Sequence, residues 1–181
     1  MKVTETSLPG VMLITPTIYR DNRGAFHETF NQRRMAEAGL PTEWPQDNFS
    51  VSKKNVLRGI HYQITQPQGK LVRVTQGAVL DVAVDLRRSS SNFGRYFAAR
   101  LDDEKGEMLW IPQGFGHAFL ALADDTRFSY KVTDYYSPVA ERTILWIDPE
   151  LAIPWPIAAE DVIVSEKDRQ GSLLRDAEVF A

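Results

Sequence analysis

With 181 residues, 43% of them hydrophobic and 25% charged, the chain has the make-up of one soluble globular domain, and neither a disordered nor a collagen-like class fits. A net charge of −3 argues against a broad nucleic-acid surface, the lack of cysteine removes disulfides, thiolate metal sites and a cysteine nucleophile, and no apolar run reaches the roughly 18 residues of a membrane helix. The opening MKVTETSLPG has no apolar core of a secretory leader, so a cytoplasmic location is the expectation.

In chain order, residues 11–14 form a short apolar run that Pro16 ends. Residues 25–30 alternate, with Phe26, Glu28 and Phe30 on one face and His27 and Thr29 on the other. Residues 32–38 are the best helix, with Asn31 as N-cap and Gly39 just past the end. Residues 70–74 and 78–86 read as strands joined by a tight turn at Gln76-Gly77. In the second, Asp81 and Asp85 share a face. Further short strands are expected at 96–101, 108–111, 118–122, 127–132 and 143–146. Residues 149–156 carry three prolines and are expected to cross the end of a barrel into a C-terminal tail, with a second helix near 172–177. Many short strands and few helices predict an all-β jelly-roll barrel or sandwich, one domain over 1–181 with its tail from about 149.

No glycine-rich phosphate loop, dinucleotide fingerprint or nucleophile elbow is present, so a phosphate-bearing ligand must be held by side chains on a β scaffold. Two segments are similar to the cupin motifs: Gly59-Ile60-His61-Tyr62-Gln63, and Pro112-Gln113-Gly114-Phe115-Gly116-His117. Metal-binding cupins place a second histidine where this chain has Gln63. Only His61 and His117 remain as ligands, so no metal is expected.

A closer resemblance rests on an ordered set of motifs. They are Asp21-Asn22-Arg23-Gly24, Gln46-Asp47-Asn48, Leu57-Arg58-Gly59-Ile60-His61-Tyr62-Gln63 and Gln68-Gly69-Lys70-Leu71-Val72-Arg73, followed by Asp81-Val82-Ala83-Val84-Asp85, Trp110-Ile111-Pro112-Gln113-Gly114-Phe115, Tyr130-Lys131-Val132-Thr133-Asp134-Tyr135-Tyr136 and Ser165-Glu166-Lys167-Asp168. Together they resemble the dTDP-4-dehydrorhamnose 3,5-epimerase family from about Val11 to Asp168. One departure is Gly116-His117-Ala118, where the family more often shows Ala-His-Gly.

That resemblance implies a cofactor-independent isomerase acting on a dTDP-4-keto-6-deoxy sugar at C3 and C5, working as a homodimer in dTDP-rhamnose synthesis for surface polysaccharide. The C3 and C5 protons are acidic because each adjoins the C4 ketone, so the reaction needs a base on one face, an acid on the other and a stabiliser for the enolate. The resemblance makes His61 the base with Asp168 as its carboxylate partner, Tyr130 the acid and Lys70 the enolate stabiliser. It assigns Arg23, Arg58 and Lys167 to the nucleotide end and Tyr136 to stacking on the base. Glu28, Gln46, Asp47, Asn48, Glu141 and His117 are carried over as further ligand-binding positions, with Glu28 toward a neutral donor and not a phosphate. His27 matches no motif and is read as structural. The rival readings are a relative that inverts one centre only and a non-enzymatic sugar-nucleotide-binding cupin; binding alone needs none of His61, Tyr130 and Asp168.

Overall fold

The computed structural model describes residues 1–181. Strands β1 (Lys2–Glu5), β2 (Met12–Thr15), β10 (Met108–Ile111), β7 (Lys70–Gln76), β12 (Thr126–Val132) and β5 (Gln46–Ser52) form one sheet in that order. A second sheet runs β13 (Glu141–Thr143), β6 (Leu57–Gln63), β11 (Phe115–Ala121), β8 (Ala78–Asp85) and β9 (Tyr96–Asp102). Neighbouring strands are antiparallel throughout, and β3 (Ile18–Asp21) and β4 (Gly24–His27) stand apart as a hairpin. This is the expected cupin-type jelly roll: two sheets face to face, with few helices.

The core between the sheets follows from alternation. β7, β10 and β12 send in Val72, Val74, Leu109, Ile111 and Phe128; β8, β9 and β11 answer with Val79, Ala83, Leu101, Phe115 and Phe119. Phe119 and Phe128 stack at 4.2 Å between ring centroids, joining the two layers. Odd positions of β8 therefore face inward, Asp81 and Asp85 among them, while Val82 and Val84 face out. The outer face of the five-stranded sheet is buried too, because Leu151, Ile153, Leu174 and Ala177 of the tail cover Ile60, Tyr62, Val82, Val84 and Ala118. Helix α1 (Gln32–Glu37) covers part of the other outer face with Met35, which packs with Leu71, Met108 and Trp110. Its N-cap is Asn31, whose side chain accepts from the Arg34 N–H, as expected.

Several expectations need correction. Gln76-Gly77 is a corner between sheets and not a hairpin: β7 pairs with β10 and β12, whereas β8 pairs with β9 and β11. Gly77 has φ 81°, and a Cβ there would lie 2.8 Å from the Thr126 hydroxyl oxygen, so the corner needs glycine. The 25–30 strand ends at His27, because it pairs only with the short β3. The last strand lies at Glu141–Thr143 rather than 143–146. The 172–177 helix shrinks to a single 3₁₀ turn at Leu174–Asp176, and an unforeseen short helix, α2 (Glu166–Arg169), precedes it. The tail runs over a sheet face, not across the barrel end, because its apolar anchors fill the outer groove. Strands β1, β3, β5 and β6 were not among those foreseen.

Candidate active site

β6 and β12 lie in facing sheets and each points a proton-transfer group inward. On β6, Ile60 and Tyr62 turn out to the tail, so His61 turns in. Gly59, at φ 123°, lets β11 come close: a Cβ there would sit 2.5 Å from the His117 carbonyl oxygen. His61 and His117 thereby become register partners. From α2, Asp168 reaches His61 with Oδ1 at 2.5 Å from Nε2, and the Ser165 hydroxyl caps the helix by accepting from the Asp168 N–H at 3.2 Å. The carboxylate is 3% exposed and the imidazole 25%. A carboxylate takes a proton donor, so Nε2 carries the hydrogen and Nδ1 keeps the lone pair of a base. Burial pulls the imidazole below its usual range, although the Asp168 bond favours its cation. Burial alone would raise Asp168; the His61 bond and charge, the Ser165 bond and the Lys167 charge together outweigh it and hold the carboxyl below the usual carboxylate range.

Tyr130 points in from β12 beside Phe128, and burial raises its phenol, which stays protonated at neutral pH. Lys70 opens β7, and burial pulls its ammonium down to about 8, opposed by Glu141 and Asp81. Lys70 is in phase with Val72 and Val74 on the inward face of β7, so His61, Tyr130 and Lys70 all point into the space between the sheets, where Lys70 acts on His61, and Arg58 and Glu141 act on Tyr130.

A second histidine–carboxylate pair lies behind the first. His117 Nε2 is 2.9 Å from Asp81 Oδ2, both are buried, and Asp81 Oδ1 has no partner. Asp81 was missed as a site residue. The available signal was its inward phase on β8, since a buried carboxylate must find a partner.

At the open end, Glu141 Oε1 meets Lys167 Nζ at 2.8 Å and its Oε2 accepts from the Tyr136 hydroxyl at 2.9 Å. Burial works to raise Glu141, but those two bonds together with the Lys167 and His61 charges hold its carboxyl below the usual range. Gln46 and Asn48 join through a 2.8 Å bond on the inward face of β5, and Arg58 donates to the Ser52 hydroxyl at 3.2 Å. Arg23, Glu28 and Asp47 are not brought to this enclosure within one chain. Arg23 is paired with Asp21 on the exposed hairpin, Glu28 bonds Asn31 and Arg34, and Asp47 meets Lys131 on the outer face of β5 and β12. His27 lies against Gly106 at the base of the hairpin.

A cupin metal does not fit these residues. The Gln63 amide is spent on the backbone of a neighbouring loop, both inward histidines are held by carboxylates, and no three His, Asp or Glu side chains converge as a ligand set.

An imidazole with a free lone pair on one sheet, facing a protonated phenol and a buried ammonium on the other, is the equipment of an isomerase of the cupin type, one that moves protons next to a carbonyl. Comparison with known proteins narrows this. The family described as dTDP-4-dehydrorhamnose 3,5-epimerase matches residues 5–176. The chain is 50% identical over 181 residues to the dTDP-4-dehydrorhamnose 3,5-epimerase of Pseudomonas aeruginosa, covering 99% of each. It is similar to a dTDP-6-deoxy-D-glucose-3,5-epimerase from Legionella pneumophila in complex with dTDP-4-keto-L-rhamnose, with TM-score 0.94, 45% identity and coverage of 98% of this chain and 94% of that one. It is also similar to a 3'-monoepimerase from Streptomyces bikiniensis in complex with dTDP-quinovose, with TM-score 0.88, 35% identity and coverage of 94% and 86%. The chain belongs to the dTDP-4-dehydrorhamnose 3,5-epimerase family.

Proposed function

We propose that this protein converts dTDP-4-dehydro-6-deoxy-D-glucose to dTDP-4-dehydro-L-rhamnose, inverting C3 and C5 on the route to dTDP-L-rhamnose. The observation that carries the chemistry is the His61–Asp168 pair on one wall with Tyr130 on the other. His61 Nδ1 removes the proton beside the C4 ketone, and the electron pair moves into an enolate whose O4 charge the Lys70 ammonium stabilises. Asp168 steadies the imidazolium that forms. The Tyr130 hydroxyl returns a proton to the opposite face; the His61 imidazolium then gives its proton to solvent, and solvent reprotonates the phenolate. Atoms are conserved and no electrons leave, so the residues complete the reaction by proton transfer alone. Lys167, Arg58 and Tyr136 serve the nucleotide end, with Gln46, Asn48 and Glu141 as further ligand contacts; His117, 6% exposed and held by Asp81, backs the wall instead of touching ligand.

A homodimer goes with this reading. On the hairpin, Tyr19 and Phe26 are register partners, 65% and 71% exposed, and the edge strand β5 leaves Phe49 and Val51 at 60% and 51%. A second copy covering these surfaces supports a role for Arg23 and Glu28 in the partner's enclosure rather than their own. No helix is long and apolar enough to cross a membrane. A cytoplasmic place of work is supported by the cysteine-free composition.

The experiment is NMR of the 4-keto sugar nucleotide in D2O. Wild type places deuterium at C3 and C5 with inversion at both. Deuterium at one centre only returns the reading to a single-centre epimerase, and at neither to a binding protein. Tyr130→Phe keeps the base and loses the acid, so deuterium still enters, with retained configuration, while epimer formation falls by about 10²-fold or more. Normal inversion at C5 by this variant removes Tyr130 from the acid role.

A further inference from the structure

Gln63 stands where a metal-binding cupin carries a second motif histidine, and no step of the proton chemistry uses it. It is 4% exposed, and every polar group of its amide is engaged. Nε2 donates to the carbonyls of Gln66 at 2.7 Å and Tyr135 at 3.2 Å, and Oε1 accepts from the Ser137 N–H at 2.8 Å. Two of these three bonds end on the segment that leaves β12 in one sheet and enters β13 in the other. Two more glutamines hold the same segment from the side of the six-stranded sheet. Gln68 donates to the Asp134 carbonyl at 2.8 Å, and the Tyr136 N–H donates to Gln46 Oε1 at 2.9 Å. Tyr135 and Tyr136 are 61% and 51% exposed, so hydrogen bonds rather than apolar packing set the place of this segment.

We propose that Gln63 is a positioning residue for the nucleotide end of the site: its amide fixes the backbone around Tyr136, so that the ring stands ready to stack on a base while its hydroxyl stays on Glu141. The inference rests on the sugar-nucleotide reading above. A platform built in advance loses less freedom when the ligand arrives. Binding of this kind is felt equally in ground and transition states, so it shows in KM rather than kcat. The cupin position that elsewhere serves chemistry here serves recognition.

The test compares wild type, Gln63→Leu, Gln63→Glu and Tyr136→Ala by calorimetric titration with dTDP and by steady-state turnover. Gln63→Leu should weaken dTDP binding about 10-fold and raise KM to match, with kcat changing less than about 3-fold. Gln63→Glu keeps the acceptor for Ser137 and loses both donors, setting a carboxylate against two carbonyls. It should bind as poorly as the leucine variant at neutral pH, then recover relative to wild type toward about pH 5 as the carboxyl gains a proton to donate. Simple space-filling does not produce that recovery, and it remains readable if the leucine variant fails to fold. Wild-type affinity in both Gln63 variants, or a loss confined to kcat, overturns the inference while leaving the functional reading in place. Wild type that binds no dTDP, or Tyr136→Ala that binds it normally, overturns the nucleotide-end reading and this inference with it.

Discussion

Two histidine–carboxylate pairs lie side by side on β6 and β11, and they are assembled differently. His117–Asp81 joins two adjacent strands of one sheet: 7% and 0% exposed, 2.9 Å apart, stacked above Phe128. His61–Asp168 joins a strand to a short helix in the tail: 25% and 3% exposed, 2.5 Å apart. The first is sealed into the core, whereas the second keeps one ring nitrogen at the enclosure. The same two side-chain types thus make a fixed wall in one place and, on the proposed reading, the base in the other, and access separates them, not chemistry.

The largest break in this comparison is His61→Asn, which should lower kcat by about 10³- to 10⁴-fold and abolish solvent exchange at C3 and C5. His117→Asn should keep exchange measurable. Equal collapse of exchange in both variants would put the base on both histidines. Next is Asp168→Asn, which removes the counter-charge of the imidazolium and should cost about 10²- to 10³-fold in kcat, read by single-turnover kinetics.

Lys70 comes third. The folded chain holds it at about 8, against about 10.4 when unfolded. Between those values the unfolded chain binds more protons, so the charged lysine opposes folding at neutral pH and that opposition fades as pH rises. Lys70→Met should raise the Tm at neutral pH by roughly 5 °C while lowering kcat about 10²-fold. In wild type, kcat/KM should climb through a pKa below the usual imidazole value of about 6.5 as His61 loses its proton, and fall above about 8 as Lys70 loses its own. The smallest effect sharpens the contrast between the pairs. Asp81 helps keep Lys70 charged, so Asp81→Asn should shift the alkaline limb downward with kcat reduced only about 10-fold. An unmoved limb would detach Asp81 from Lys70.

Strands whose inward residues are apolar were legible: β7, β8, β10 and β12 fell close to their foreseen places because Val, Leu, Ile and Phe alternate there. β5 and β6 were not, and the reason is functional. Their inward positions are Gln46, Asn48, Ser50 and Ser52 in one and His61 and Gln63 in the other, side chains that erase the alternation a strand is recognised by. A strand that lines a polar enclosure hides from a hydrophobic pattern. The Gln76-Gly77 corner was misread because a turn within a sheet and a crossing between sheets use the same residues, and only long-range pairing tells them apart. Asp168 alone carried no signal, being one acid among several in the tail; only the resemblance paired it with His61, and the contact is made when the tail folds back. That Arg23 and Glu28 spend their charges on Asp21, Asn31 and Arg34 away from the enclosure was equally invisible, since the motifs fix order along the chain and not distance in space.

The Asp168 contact also has a bearing on the timing of synthesis. A ribosome makes every strand of both sheets before it makes this carboxylate. The walls of the enclosure, the phenol and the lysine are all in hand while the imidazole still lacks the counter-charge that steadies its cation. A segment made after both sheets is the one that steadies the imidazolium, so a chain clipped just before Asp168 keeps every strand, with Leu151 and Ile153 still on the outer face, and loses its turnover. Loss of activity during storage or limited proteolysis should therefore run ahead of any loss of β-sheet signal.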